Sequence, residues 1–316
     1  MASLRRRRHG KDEDTLTESL LGDHEDDQRE AEQEQAHEHE REERRQANRQ
    51  AIIVHPGEFD LGAFVQSILD WWNRLFGQIF SYAAQLWPQG LGREQPLSLS
   101  LLQAERLRQL RERVAERFDV SDVSHQDSLR RLWSLAFPEE PCTALKCARW
   151  KDMGWQGEDP GTDFRGAGRY GLENLIYLAE EHPEVFRRLL HKTEGTRAAW
   201  EYPFAVAGLN ITWALSELVE LHVTQGSDPD APPRTAAGRA FVALLADHDA
   251  AFEELYVASF CMLDNTWLEM RASYMEFNTV MKRVKAEVDR ALSARPADLR
   301  ALRRGLLGAA AAERFG

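Results

Sequence analysis

Cysteine and the common catalytic motifs are scarce in this sequence. Its 316 residues include three cysteines, Cys142, Cys147 and Cys261, and no CxxC pair. That number and spacing favour free thiols in a reduced chain over a disulfide framework or a zinc site. The patterns GxxxxGK[ST], GxSxG and HExxH are also absent. Their absence argues against a nucleotide hydrolase with its own phosphate-binding loop, an α/β-hydrolase and a zinc protease.

Positive charge is also in short supply. The chain has 40 lysines and arginines against 52 aspartates and glutamates, for a net charge of −12 at pH 7. This balance argues against nucleic acid as a main partner. His37 and His39 lie close together, but two histidines in a charged tail are usually solvated, so we expect no metal site. Gly166, Gly168 and Gly171 form a GxGxxG without the preceding strand that a dinucleotide site needs, so we expect no cofactor site.

The first part of the chain has too few apolar residues to fold alone. Residues 1–58 contain a basic cluster, an acidic block and a mixed run of charges, with almost nothing apolar between Leu21 and Gln50. We therefore predict a disordered charged tail there. No signal-peptide pattern is present, and Ala2 stands where N-myristoylation requires glycine, so we expect a cytoplasmic protein.

A second segment, residues 59–96, contains an amphipathic helix and a linker. Between residues 61 and 87, polar or small residues recur every three or four positions opposite a broad apolar face. A membrane-spanning helix is disfavoured, because Asp70 and Arg74 would cost roughly 5 kcal/mol together in lipid. Two interpretations remain open: a helix lying in a membrane interface, or one packed on the following domain. Pro88, Gly90, Gly92 and Pro96 mark the linker.

The rest of the chain has the apolar period of α-helices and no recognisable strand, so the predicted fold class is all-α. We expect a compact multi-helix domain over residues 97–292 and a helical tail over 293–316. Predicted helices cover residues 99–114, 128–137, 172–181, 183–190, 204–222 and 238–259, and a last long helix runs from 267 to 288.

The segment from residue 150 to residue 171 interrupts this helical pattern. It contains six glycines and a proline, which favour a loop over a helix. Long loops inside compact domains are usually disordered or functional. Trp150, Met153, Trp155 and Phe164 give this loop apolar anchors that a solvated linker lacks. We therefore predict an ordered loop pinned to the core.

Arg165 is the candidate functional side chain of this loop. Phe164 anchors the backbone before it, and Gly166 allows the chain to turn after it, so the arginine is expected to be exposed. The residues alone leave a second interpretation open, in which Arg165 pairs with Asp163 or Glu173 and only holds the loop closed.

The same segment closely resembles a known family signature. Residues 150–175 read W-x3-GWQG-x2-P-x-TDFRG-x-G-x2-GL-x-NL, which is similar to the signature of the ELMO domain in small single-domain ELMOD-like proteins. The resemblance continues through WEYPFAVAG at 200–208 and MRASYMEFN at 270–278 and covers about residues 97–290. The residue types at these positions resemble those of the plant and algal branch. Trp155 and Tyr170 depart from animal members, which more often carry Phe and Leu there.

This resemblance implies a regulator of small GTPases. The expected activity is stimulation of GTP hydrolysis on Arf-family GTPases, with Arg165 as the essential residue acting in trans. We expect no catalytic turnover of its own, since GTP and Mg²⁺ are bound by the partner. The expected supports of the loop are Trp155, Gln156, Gly157, Asp163, Phe164 and Gly166.

A function of another class remains open. In this alternative, the domain is a non-catalytic adaptor at Golgi or other endomembranes, linked to small-GTPase signalling or to the organisation of membrane enzymes. Either function allows peripheral membrane contact through residues 61–87. A catalyst needs Arg165 chemically, whereas an adaptor needs only its surface.

Overall fold

The described part of the protein is entirely helical. The computed structural model describes residues 97–197, 201–223, 226 and 228–309, so the predicted tail 1–58 and the predicted helix 61–87 lie outside it. Nine α-helices and no strand occur within these ranges, which confirms the predicted fold class. The helices are α1 (Leu101–Ala115), α2 (Val123–Ala136), α3 (Gly168–Glu181), α4 (Pro183–His191), α5 (Phe204–Leu218), α6 (Ala236–Asp247), α7 (Ala251–Met270), α8 (Phe277–Ser293) and α9 (Leu299–Leu307).

Short 3₁₀ turns and side-chain caps complete the local structure. The 3₁₀ turns are Ala148–Met153, Pro160–Thr162 and Tyr274–Glu276. Ser100 and Gln103 form a capping box at the start of α1, with bonds of 3.2 and 2.9 Å. None of the described helices combines the length and apolar character needed to cross a bilayer. The predicted boundaries at residues 58, 96 and 292 stay predictions.

Two of the predicted helices are interrupted in the structure. The helix predicted over 238–259 is two helices, because α6 ends at Asp247 and α7 begins at Ala251, with the Ala250 N–H bonded to His248 Nδ1 at 3.1 Å between them. The long helix predicted over 267–288 breaks after Met270, where Arg271 has a left-handed φ of 47°. Apolar spacing does not detect these breaks, since the helices on both sides bury their faces in one core.

Helices α5 and α7 lie at the centre of the core. Fifteen of the 20 residues of α7 are buried, including charged ones, and it contacts α3, α5, α6, α8 and α9. The apolar helix predicted over 204–222 is α5, which ends at Leu218 because Glu220 takes a left-handed φ of 59°. Gly208 of α5 allows the hydroxyl of Tyr256 to approach, at 2.5 Å from where a Cβ would be. Helices α5 and α7 therefore cross closely at Gly208, and α3 packs on both of them.

Adjacent glutamates of α7 anchor three other helices. Glu253 accepts a hydrogen bond from the Tyr170 hydroxyl of α3 at 3.0 Å and forms an ion pair with Arg113 of α1 at 2.8 Å. Glu254 points elsewhere, accepts from the Tyr177 hydroxyl at 2.7 Å and pairs with Arg303 of α9. Buried charges need such partners, because an unpaired one costs several kcal/mol. The two carboxylates therefore connect α1, α3 and α9 to the central helix.

We expect acid to weaken the protein through Glu254. Burial tends to raise the pKa of this carboxyl, but hydrogen bonds with His182 and Tyr177 and the charge of Arg303 outweigh burial and lower the pKa from 4.5 to about 2. Because the folded-state pKa lies below the unfolded one, the carboxylate contributes stability that is complete above about pH 4.5 and is lost as the pH falls towards 2. That contribution is about 3 kcal/mol at neutral pH.

Urea unfolding at a series of pH values checks this expectation. Glu254→Gln should be less stable than the wild type at pH 7, and the difference in free energy of unfolding should shrink between pH 4.5 and pH 2. Glu269→Gln is the control, because Glu269 pairs with Arg283 on the surface. A Glu254→Gln deficit that stayed constant down to pH 2.5 would show that the carboxylate charge is not the cause.

Candidate functional site on the signature loop

A chain of aromatic rings fixes the signature loop, residues 150–171, to the core. Trp155 and Phe164 are each only 3% exposed. Phe164 stacks on Phe118 with ring centroids 4.2 Å apart, and the ring centroids of Trp155 and Phe164 are 5.2 Å apart. Trp155 continues to Trp150 at 6.0 Å, and Trp150 to Trp133 of α2 at 4.9 Å. Each such pair adds stability beyond the area that it buries, so the loop has one defined position.

Asp163 closes the loop from inside. Its carboxylate accepts a hydrogen bond from the Gln156 N–H at 2.9 Å and one from the Thr162 hydroxyl at 3.0 Å. Gln156 therefore contributes its main chain to this contact. Burial raises the pKa of the Asp163 carboxyl to about 6, although these two hydrogen bonds and the charge of Arg165 act in the opposite direction. At neutral pH most of the carboxyl is still ionised and bonded.

Arg165 lies on the outside of this closed loop. Its side chain is exposed, while Phe164 before it is buried. It forms no hydrogen bond and no ion pair with any other residue in the described part of the chain. Glu173, one of the two carboxylates considered as its partner, instead pairs with Arg113 at 2.9 Å and with Arg169 at 3.3 Å. Asp163 attracts Arg165 only from beyond ion-pair distance.

Two glycines of the signature have backbone conformations that other residues rarely adopt. Gly154 has a φ of 84° and Gly168 a φ of 58°, whereas the φ of Gly166 is not positive. The turn predicted at Gly166 is therefore completed two residues later. At Gly157 the nearest neighbour of an added Cβ is 4.0 Å away, so nothing around it requires glycine. The helix after the loop begins at Gly168 and not at Leu172, because its first turn tolerates glycine.

The end of α1 holds the other side of the loop. An added Cβ at Gly168 would lie 2.4 Å from the Glu116 carbonyl oxygen, which accepts a hydrogen bond from the Arg169 N–H at 3.0 Å. The Glu116 carboxylate also pairs with Arg169 at 2.7 Å and accepts a hydrogen bond from His125 Nε2 at 3.1 Å. Sequence reasoning missed Glu116 and Phe118, which lie about 50 residues before their partners and carry no local signal.

This arrangement suits recognition of an anion by an inserted guanidinium. Arginine offers five N–H donors in a planar fork that matches phosphate oxygens. The described residues contain no cluster of histidine, cysteine, aspartate or glutamate side chains suited to a metal ion. The three cysteines are free thiols. The site thus consists of one exposed arginine on a rigid base.

Fold and site together define an all-helical domain that carries an exposed arginine on a glycine-rich loop anchored by aromatic rings. The model of the ELMO/CED-12 family matches residues 108–281, which include that whole loop. The chain belongs to this family.

Relatives with similar sequences come from an amoeba and from mammals. ELMO domain-containing protein A of Dictyostelium discoideum is 34% identical over 214 residues, which are 64% of this chain and 22% of that protein. ELMO domain-containing protein B of the same organism is 32% identical over 173 residues, 54% of this chain and 55% of that protein. ELMO domain-containing protein 2 of Mus musculus is 36% identical over 111 residues, 34% of this chain and 37% of that protein. The chain therefore spans between about a fifth and about half of these relatives.

Proposed function

We propose that the protein stimulates GTP hydrolysis on a small GTPase of the Arf family by supplying Arg165 in trans. Hydrolysis builds negative charge on the oxygens of the transferring phosphoryl group, and an inserted guanidinium stabilises that charge. GTP and Mg²⁺ belong to the partner, so the protein has no cofactor of its own. The partner class comes from the resemblance of the signature to ELMOD-like proteins.

The observation that carries the proposal is the state of Arg165. The neighbouring carboxylate of Asp163 is buried and bonded to the loop itself, so it does not hold the exposed guanidinium in an ion pair. The backbone at Arg165 is fixed by the buried ring of Phe164 before it and, after it, by the clasp between Glu116 and Arg169, in which the Arg169 N–H donates to the Glu116 carbonyl. A charged group on a fixed base loses little freedom when it enters a partner's site.

We further propose that the protein acts at Golgi or other endomembrane surfaces.

Single-turnover hydrolysis on a panel of Arf and Arf-like GTPases tests this function. Each GTPase is loaded with GTP, and the 316-residue protein is added in substoichiometric amounts. We expect the rate constant to rise strongly for one or a few members of the panel. In parallel, binding to each GTPase is measured with a non-hydrolysable GTP analogue in place of GTP.

The two readouts distinguish the activator from the adaptor. Acceleration by substoichiometric protein supports the activator, because each molecule must act on many GTPases in succession. Binding to a GTPase without acceleration of any member overturns the proposal and favours a non-catalytic adaptor, in which Arg165 contributes only to binding. If the protein binds no member of the panel and accelerates none, Arf-family GTPases are excluded as partners.

A further inference from the structure

A second exposed surface lies beside the signature loop and is formed by the connection between α1 and α2 and by Val123, the first residue of α2. The stack of Phe118 on Phe164 joins this connection to the signature loop, and each ring has an exposed arginine next to it in sequence, Arg117 and Arg165. A Cβ at Gly161 would lie 3.7 Å from Phe118 and 3.7 Å from Val120. The two segments are therefore neighbours along one surface.

Two side chains of this connection, Arg117 and Val120, and that of Val123 at the start of α2 are exposed in a way that folding does not explain. Val120 is 52% and Val123 is 67% exposed, although both are large apolar residues. Arg117 is exposed and forms no hydrogen bond or ion pair with other residues in the described ranges. Single exposed apolar residues are ordinary, but two of them with an unpaired cation, on a segment that packs on the signature loop through Phe118, form a surface suited to a partner. We call Arg117, Val120 and Val123 the ledge.

The connection that carries the ledge is held in one conformation. Asp119 accepts hydrogen bonds from the Ser121 N–H at 2.8 Å, and Asp122 caps α2 by accepting from the Ser124 N–H at 2.7 Å. The buried ring of His125 accepts from the Asp119 N–H at 2.9 Å, and Gln126 donates to the Val120 carbonyl at 2.9 Å. The valines are thus exposed on a pinned turn, which is the preorganised state that favours binding.

The size of protein interfaces connects the ledge to the partner at Arg165. A specific interface covers about 800 Å² on each partner, a patch roughly 30 Å across. One loop is much smaller than that. A protein whose bound nucleotide reaches Arg165 is therefore expected to cover residues next to the signature loop, and Val120 of the ledge lies beside Gly161 of that loop.

We infer that the ledge is the second half of the surface that binds the GTPase, with Val120 and Val123 against apolar residues beside the nucleotide and Arg117 towards the negative charge of the nucleotide site. This inference rests on the proposed function for the identity of the partner. The ledge contributes affinity, whereas Arg165 contributes to the rate of hydrolysis. The two contributions are separable, because one acts on binding and the other on the transition state.

A titration of activator against the responsive GTPase tests the inference. The double variant Val120→Asp/Val123→Asp should raise the concentration for half-maximal acceleration about tenfold or more and leave the maximal rate constant unchanged. Asp at position 123 suits the first turn of α2, so the variant should stay folded. Arg117→Ala should raise the same concentration several-fold. Met275→Asp changes an apolar side chain that is 80% exposed outside the ledge and is the matched control.

The outcomes separate the ledge from the proposed function. If the wild type accelerates hydrolysis and the ledge variants match it in half-maximal concentration, the ledge is no contact surface and the activator function stands. If the wild type binds the GTPase without acceleration and the ledge variants lose that binding, the ledge is an interface and the activator function fails. If the wild type neither binds nor accelerates, both are overturned.

Discussion

Arg165→Lys is expected to lower the stimulated rate constant of GTP hydrolysis by about 10³- to 10⁵-fold, to near the intrinsic rate of the GTPase. Lysine keeps the charge but has a compact ammonium with three N–H donors in place of a planar fork of five, so it does not reproduce the paired, parallel hydrogen bonds that a guanidinium forms with phosphoryl oxygens. The exposed Arg165 has no partner among the described residues that would change with it. The loss should therefore appear in the maximal rate constant and not in the stability of the protein. Single-turnover hydrolysis at saturating activator measures it.

A control variant and a stability measurement show whether a lower stimulated rate in Arg165→Lys comes from lost chemistry or from lost structure. Arg300→Lys changes an exposed arginine of α9 that also lacks an ion pair with described residues, and it should leave the stimulated rate unchanged. Thermal unfolding of Arg165→Lys should match the wild type within the usual range for surface substitutions, about 0.5 kcal/mol. Full activity of Arg165→Lys would show that another group stabilises the transition state. A large fall in its melting temperature would assign Arg165 a structural role.

The sequence predicted the parts of this site that depend on neighbours in the chain. Phe164 and Gly166 flank Arg165, and these two neighbours alone predict that the arginine is exposed. The structure confirms that exposure. The all-helical class likewise follows from the apolar period of long segments. The role of Arg165 in hydrolysis stays a prediction.

Contacts between distant residues could not be predicted in the same way. The stack between Phe118 and Phe164 and the clasp between Glu116 and Arg169 join residues about 50 positions apart. Nothing near Phe118 in the sequence distinguishes it from any other aromatic residue beside a helix end. The breaks at His248 and Arg271 were missed because backbone turns held by local hydrogen bonds leave the apolar spacing unchanged.

Gly154→Ala should produce the second large effect, a loss of about 3–4 kcal/mol in the free energy of unfolding. The φ of Gly154 is 84°, which strains any residue with a Cβ. The added Cβ would also lie 2.3 Å from the Phe204 nitrogen and 2.7 Å from the Pro203 carbonyl carbon, both backbone atoms at the start of α5. Backbone atoms cannot rotate away as a side chain can, so the loop or the helix must move.

Gly157→Ala, three residues further along the same loop, is the matched control. Its Cβ would have no neighbour closer than 4.0 Å and its φ is not positive, so the change should stay within about 0.5 kcal/mol. Thermal unfolding should show the contrast as a fall of about 10 °C in melting temperature for Gly154→Ala and little change for Gly157→Ala. Equal stability of the two variants would mean that the contact between the loop and α5 does not fix the loop. If the contact does fix it, Gly154→Ala should also displace the base of Arg165 and lower stimulation of the GTPase, because Gly154 immediately precedes Trp155, whose ring packs against Phe164.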